Sequence, residues 1–306
     1  MLTLVVIIGT YNRRAQLQKC LESIMGKVSH SCMIYVIDAG SSDGTIQYLE
    51  KLEKRKKIKF IRQKKKIGQI KSFNKILPKI TSKYVCWLSD DNVVVDNMLD
   101  EAIGILDENN SIGMIGLKVK DMMGKLSQEP YIGSVWSSGV LNINQGIIRT
   151  DLFKKIGYFD DAFPDYGMDA DLTTKVLLAG YKVVLTKKIA VLHFRDYGKN
   201  PGTNSEKERR KKILRAIEIY KIKYRTLCRN IRVSRRVYTS LLPVSAIFIR
   251  ACCSIINLAG FIRNSGLRIN QRDLRNIFES EYVSLNDLYL NRRKLYYLVQ
   301  SINSPH

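Results

Sequence analysis

Histidine is scarce in this 306-residue chain, and cysteine is without pattern. Only three His occur. The six cysteines, Cys20, Cys32, Cys86, Cys228, Cys252 and Cys253, form no CxxC pair and have no His cluster beside them. That excludes a zinc-ribbon or disulfide framework and fits reduced, half-buried thiols. No GxGxxG follows the first apolar run, which argues against a dinucleotide domain. No GxxxxGK[ST] occurs, so a P-loop is absent. Residues 1–8 are apolar but short, lack a basic lead and run straight into Gly9-Thr10-Tyr11-Asn12. They do not read as a secretory leader, and the expected location is the cytoplasm.

Acidic residues are also in deficit. The chain has 51 Lys and Arg against 28 Asp and Glu, a formal net charge of +23, with 45% hydrophobic residues. The apolar content is that of a globular protein, and the length allows one large core or two modest ones. The charge is uneven, because residues 201–306 hold 21 of the basic residues and only 7 of the acidic ones. Such asymmetry points to an anionic partner surface, nucleic acid or acidic lipid. Nucleic acid is disfavoured, since no module with basic and aromatic residues on one sheet face is recognisable.

Periodicity organises the first hundred residues. Strand-length apolar runs at 4–8, 33–37, 58–61 and 84–88 alternate with helical spacings. These helices run through Leu17, Leu21 and Ile24, then Ile46, Leu49 and Leu52, then residues 70–77, then Met98, Ile103 and Leu106. Four strand–helix units in succession predict a mostly parallel, doubly wound α/β sheet with helices on both faces. From Gly113 the pattern reads as less regular, with a loop over 126–138. Short strands are expected at 146–148, 183–185 and 190–192, and helices at 151–156 and 169–178, the latter ending at Gly180. Ser205 and Glu208 have capping-box spacing before a long helix.

The most informative stretch is Trp87-Leu88-Ser89-Asp90-Asp91-Asn92. It sets two carboxylates at the end of a buried strand, where open α/β sheets bind ligands. Carboxylate oxygens there suit Mg²⁺ or Mn²⁺, which in turn holds phosphate oxygens. The competing reading is an Asp that caps the next helix. Three further strand ends carry Thr10-Tyr11-Asn12, the turn Asp38-Ala39-Gly40-Ser41-Ser42-Asp43-Gly44-Thr45, and Gly68 with Asn74. Further along lies Tyr166-Gly167-Met168-Asp169-Ala170-Asp171.

In order and spacing, these motifs from Leu2 to about His193 resemble glycosyltransferase family 2, with the GT-A fold. The resemblance implies an inverting transfer from a nucleotide-sugar donor to a hydroxyl of a glycan or lipid-linked saccharide, as in surface polysaccharide assembly. It gives Thr10, Tyr11, Asn12, Asp38, Gly68, Lys71 and Asp90 to the nucleotide. Tyr11 would offer a face to the base, and Asp38 would accept the imide N–H of uracil or thymine. Capping the following turn is the other use of Asp38. Asp91 and His193 fall to the metal, and Asp169 to the catalytic base. The chain departs from the family pattern at Ser89, at Met168 in place of Glu, and at Phe73 in place of Arg. The last departure leaves Lys71 or Lys66 to meet the phosphate.

These readings divide the chain into a GT-A catalytic region at 1–200 and a basic helical region at 201–306. The catalytic region comprises a nucleotide-binding half (1–110) and an acceptor-binding half (111–200). Residues 241–262 are nearly all apolar, but Pro243 and Arg250 interrupt them. That argues against a bilayer span and for an amphipathic segment lying peripherally on the anionic inner face of the membrane. Packing on the catalytic core is the alternative. A GT-A-like nucleotidyltransferase is the competing function. It needs a Gly-rich phosphate loop, which Gly9-Thr10-Tyr11-Asn12-Arg13 does not supply.

Overall fold

The computed structural model describes residues 2–123, 130–131, 143–195 and 205–224. Its first half is the expected alternation: β1 (Leu4–Thr10), α1 (Arg14–Met25), β2 (Cys32–Asp38), α2 (Thr45–Lys54), β3 (Ile58–Arg62), α3 (Gln69–Asn74) and β4 (Tyr84–Ser89). Period-2 burial explains why these runs are strands. Val5 and Ile7 of β1 join one apolar cluster while Leu4, Val6 and Ile8 join the other, so the sheet is covered on both faces.

The second half contributes β5 (Asn92–Val94), α4 (Met98–Glu108), β6 (Ile112–Asp121), β7 (Pro130–Tyr131), β8 (Gly146–Arg149), α5 (Thr150–Lys155), α6 (Met168–Leu178), β9 (Lys182–His193) and α7 (Glu206–Lys223). One sheet results, in the order β3-β2-β1-β4-β8-β6-β9-β5, with β7 on β6. The strands β3, β2, β1 and β4 run parallel. Beyond β4 the sheet is mixed, since β8 is antiparallel to both its neighbours and β5 is antiparallel to β9. Strand order reverses at β1, so the carboxyl ends of β1 and β4 border the crevice where such sheets take ligands.

Three expectations need correction. The region from Gly113 is not irregular, because it forms the ten-residue strand β6. Close packing in this strand requires at least Gly116, where a Cβ would come within 2.6 Å of Leu185. The two short strands at 183–185 and 190–192 are one strand, β9, kept continuous by pairing with β6 through shifts in register. The third helix stops at Asn74, and Leu77–Lys79, with Pro78 inside, forms a separate 3-10 turn. The loop at 126–138, apart from β7, and the apolar run at 241–262 lie outside the described residues.

At Ser205 the capping box forms as read. Its Oγ accepts from the Glu208 N–H, and the Glu208 carboxylate accepts from the Ser205 N–H at 2.9 Å. Among the described cysteines, Cys20, Cys32 and Cys86 are free thiols, and burial pushes all three up in pKa.

Gly146 packs closely against the neighbouring backbone. A Cβ there would sit 2.6 Å from the Ile115 carbonyl and 2.7 Å from the Trp87 ring, neither free to move aside. Gly146→Ala should therefore destabilise the protein by about 1–3 kcal/mol, as overpacking does. Gly104 lies within α4 with nothing within 4 Å of its Cβ position. Gly104→Ala should instead stabilise by roughly 0.5–1 kcal/mol. Urea unfolding of both variants checks the pair.

Candidate active site

The end of β4 turns sharply into β5, and the Asn92 side chain holds that turn by accepting from the Ser89 N–H at 2.9 Å. Asp90 and Asp91 are thereby set side by side, 4% and 7% exposed. Thr10, at the end of β1, donates its hydroxyl to Asp90 Oδ2 at 2.9 Å. Arg13, just before α1, forks across the pair. Its Nη1 donates to Asp90 Oδ1 at 2.8 Å and its Nη2 to Asp91 Oδ2 at 2.9 Å.

Sheet register brings in the next group. Asn92 pairs with His193 in the β5–β9 ladder, and Asp121 pairs with His193 in the β6–β9 ladder. His193 therefore stands between two carboxylates. Its Nδ1 lies 2.8 Å from Asp121 Oδ1 and its Nε2 lies 3.3 Å from Asp91 Oδ1. Arg195 Nε is 3.5 Å from the other Asp121 oxygen.

The electrostatics separate the two neighbouring acids. Burial pushes Asp90 above the usual carboxylate range, and the Asp91 charge adds to this against the pull of Arg13. Burial acts the same way on Asp91, but His193 and Arg13 outweigh it and hold the group below the usual range. His193 is raised: burial favours the neutral ring, yet Asp121 and then Asp91 outweigh that effect.

A divalent cation fits these residues. Asp91 Oδ1 is buried, forms no regular hydrogen bond and faces His193 Nε2 at 3.3 Å. With Nδ1–H donated to Asp121, His193 presents its Nε2 lone pair on the same side, as metal-binding imidazoles do. The cation would take the place of the proton that His193 otherwise holds. No group of three or more His, Cys, Asp or Glu forms a ready-made cage among the described residues. Phosphate oxygens and water would complete the shell, as is usual for Mg²⁺.

A cleft of about 230 Å³ opens over this cluster. Thr10, Tyr11, Arg13, Lys66, Gly68, Asp90, Asp91 and His193 are among its lining residues. The Lys66 ammonium lies 5.1 Å from the centre of the Tyr11 ring. A larger groove of about 650 Å³ between α1 and α2 carries none of the strand-end carboxylates.

Three of the residues expected at the nucleotide do not line the cleft. Asp38 is fully buried, and its Oδ1 accepts from the N–H groups of Gly40 and Ser41 at 2.9 and 2.8 Å while Oδ2 accepts from the Ser41 hydroxyl. The carboxylate is thus occupied by the turn, and Ala39 faces the cleft instead. Asn12 adopts a left-handed backbone, φ 52°, and is tied to the same turn through Ser41 Oγ and the Ser42 N–H. Lys71 lies on α3 outside the cleft lining, whereas Lys66 is in it. Sequence reasoning gave no site role to Arg13, although it directly follows Asn12. Asp121 was hidden because its strand was not recognised.

Asp169 begins the first turn of α6, where the helix dipole favours an acid. Gly167 precedes it at φ 92°, a conformation that glycine adopts freely. The helix packs on β9 and β6, the strands that carry His193 and Asp121. Asp169 is 6% exposed, its Oδ1 has no hydrogen-bond partner, and burial raises its pKa well above the ordinary range. It does not line the cleft described above.

Known proteins resemble this chain. The family model described as Glycosyl transferase family 2 matches residues 5–163. An uncharacterized glycosyltransferase of Haemophilus influenzae is 24% identical over 205 residues, covering 60% of this chain and 64% of that protein. Poly-beta-1,6-N-acetyl-D-glucosamine synthase of Staphylococcus epidermidis is 24% identical over 192 residues, covering 58% of this chain and 45% of that protein. The matches thus span less than two thirds of those relatives' own length. Among solved structures, S. aureus TarS 1-349 in complex with UDP-GlcNAc has a TM-score of 0.57 at 18% identity, covering 98% of this chain and 82% of that one. The mannosyltransferase PcManGT from Pyrobaculum calidifontis, in complex with GDP-Man and Mn2+, has a TM-score of 0.55 at 16% identity, covering 98% and 84%. At these identities the likeness to solved structures establishes the fold alone, a mixed α/β fold of the GT-A type.

An unpaired buried carboxylate has a stability signature. A carboxyl whose folded pKa exceeds its unfolded value costs stability above the folded pKa, and that cost vanishes below the unfolded pKa. Asp169→Asn should therefore raise the Tm near pH 7. The gain should shrink as the pH falls towards about 4, the ordinary carboxylate value. Thermal melts across that range check the sign.

Proposed function

The chain belongs to glycosyl transferase family 2, and from that premise we propose that it transfers a sugar, with inversion, from a nucleoside-diphosphate sugar to a hydroxyl of a glycan or lipid-linked saccharide. The observation that carries the reading is the Asp90–Asp91 pair at the β1/β4 crevice, bridged by Arg13 and flanked by His193 and Lys66 in one cleft. Tyr11, with Lys66 over its ring, offers the aromatic face for the base. Arg13 and Lys66 bring positive charge to where the diphosphate would lie, and Gly68 leaves room beside it, with nothing within 4 Å of its Cβ position. Asp91 and His193 would hold Mg²⁺ or Mn²⁺, which would supply positive charge to the leaving diphosphate.

In this reading the acceptor oxygen attacks the anomeric carbon from the face opposite the nucleotide. The Asp169 carboxylate takes the hydroxyl proton, and the bond to the diphosphate oxygen breaks with its electron pair leaving on that oxygen. Burial makes the ionised carboxylate a stronger base, which suits that task. The donor's nucleotide is a uridine or thymidine diphosphate. With the Asp38 carboxylate turned inward, that preference falls to Tyr11 and the backbone of the 38–41 turn.

A peripheral contact with the inner, anionic face of the membrane is part of the proposal. On the exposed face of α7, Lys207, Lys211, Arg215 and Lys221 lie with Leu214 and Ile222, which are 54% and 74% exposed, and with the acid Glu218. Basic residues around exposed apolar ones suit an anionic interface. No helix among the described residues is long and apolar enough to cross a membrane.

Two measurements test these assignments. UDP or dTDP with Mn²⁺ should raise the Tm more than GDP or ADP, and Asp91→Asn should lose the Mn²⁺-dependent part of the shift and the turnover. A larger shift with GDP would sink the base preference, and unchanged turnover in Asp91→Asn would sink the metal assignment. For the membrane, the protein should co-sediment with phosphatidylserine vesicles and be partly released by salt. Equal binding to neutral vesicles, or none, would leave α7 with a packing role only.

A further inference from the structure

Helix α7 ends against α6, the helix that carries Asp169. Lys223 Nζ lies 2.6 Å from Asp171 Oδ1 and also donates to Asp160, and the Tyr224 hydroxyl donates to the same Asp171 oxygen at 2.6 Å. Tyr220 shares a hydrogen bond with Thr174, one turn further along α6. Phe163, Ala170, Ala216, Tyr220 and Tyr224 form an apolar cluster separate from the two that line the sheet. Asp171 itself is fully buried. Lys175 of α6 itself lies 3.6 Å from the other Asp171 oxygen, so Lys223 and Tyr224 are the contacts that tie this buried charge to α7, and they hold α6 in one rotation about its axis.

Asp169 and Asp171 are two residues apart on α6 and so face different sides of the helix. A grip on Asp171 therefore sets the direction of Asp169 without touching it. We propose that Lys223 and Tyr224 are positioning residues for the transfer reaction, and that α7 aims the base from outside the nucleotide-binding half. Asp171 is the handle by which α7 holds α6. The catalytic part of the inference rests on Asp169 being the base, whereas the mechanical coupling does not.

The test uses the full chain with Tyr224→Phe, which removes one hydroxyl, Lys223→Met, which removes the charge, and Lys223→Arg, which keeps it. Each is combined with Asp169→Asn, and Tm is read near pH 7. If α7 holds Asp169 buried, the Tm gain from Asp169→Asn should fall by about half or more in the Tyr224→Phe and Lys223→Met backgrounds. It should persist in Lys223→Arg. An undiminished gain in both backgrounds means α7 is only a structural prop, and the inference fails. In parallel, UDP release from UDP-N-acetylglucosamine should show kcat lowered about 10- to 100-fold by Tyr224→Phe, the scale expected for a misplaced group. KM and UDP·Mn²⁺ binding should stay within about twofold of the parent. Lost UDP binding in Tyr224→Phe would also overturn the inference, because it places α7 outside the donor half. If Asp169→Asn retains full turnover while the Tm coupling holds, the assignment of the base fails and the mechanical link stands.

Discussion

Two adjacent carboxylates buried in one turn repel each other and lose their hydration, so the β4–β5 turn exists only if something answers their charge. Arg13 does so with a planar fork that meets one oxygen of each acid. Lysine would give a point charge and could not span both in that geometry. The consequence reaches beyond the turn. Arg13 directly precedes α1, and α1 packs against β5, so neutralising the pair also fixes how the first helix leaves the first strand. The crevice between β1 and β4 is thus shaped by the same bond that keeps its acids tolerable.

Charge answered from one side would still leave Asp91 with a bare oxygen. The second half of the chain meets that need through pairing rather than through a local motif. β9 runs twelve residues so that its last one, His193, reaches the register of Asn92 on one side and Asp121 on the other. Asp121 fixes the imidazole by its Nδ1, which leaves Nε2 for the cleft. Residues 91 and 193, far apart in sequence, are therefore brought together by two ladders of backbone hydrogen bonds.

This explains what was legible beforehand. The parallel half was readable because its strands are buried on both faces and so appear as unbroken apolar runs, and because Asp90–Asp91 follows one directly. The Ser205–Glu208 capping box was readable because it is local in sequence. Strand β6 was not, because Gly113 and Gly116 signal a break by composition while close packing demands them. With β6 unread, Asp121 could not be placed. Asp38 shows a different limit. A strand-end Asp before Ala-Gly-Ser serves a ligand or its own turn equally well on paper, and the hydrogen bonds to Gly40 and Ser41 show that Asp38 holds its turn. Asp171 meets partners 52 and 53 residues away, which no local motif announces.

The buried acids of the site region are thus treated unequally. Asp90 and Asp91 share Arg13, Asp91 also faces His193, Asp121 holds His193, and Asp171 is held by Lys223 and Tyr224. Asp169 alone receives no hydrogen bond or ion pair to its carboxylate among the described residues. A chain selected only for stability would place an apolar or amide side chain there, since a buried carboxyl without a partner is costly. Strained or unsatisfied groups persist where they serve a reaction. Environments that push neighbouring acids apart in pKa mark the division of acid–base labour. Asp91, held as an anion, suits a cation; Asp169, burdened by burial and free of partners, suits a proton. The contrast between these two carboxylates, more than either position alone, favours assigning metal binding to one and proton transfer to the other.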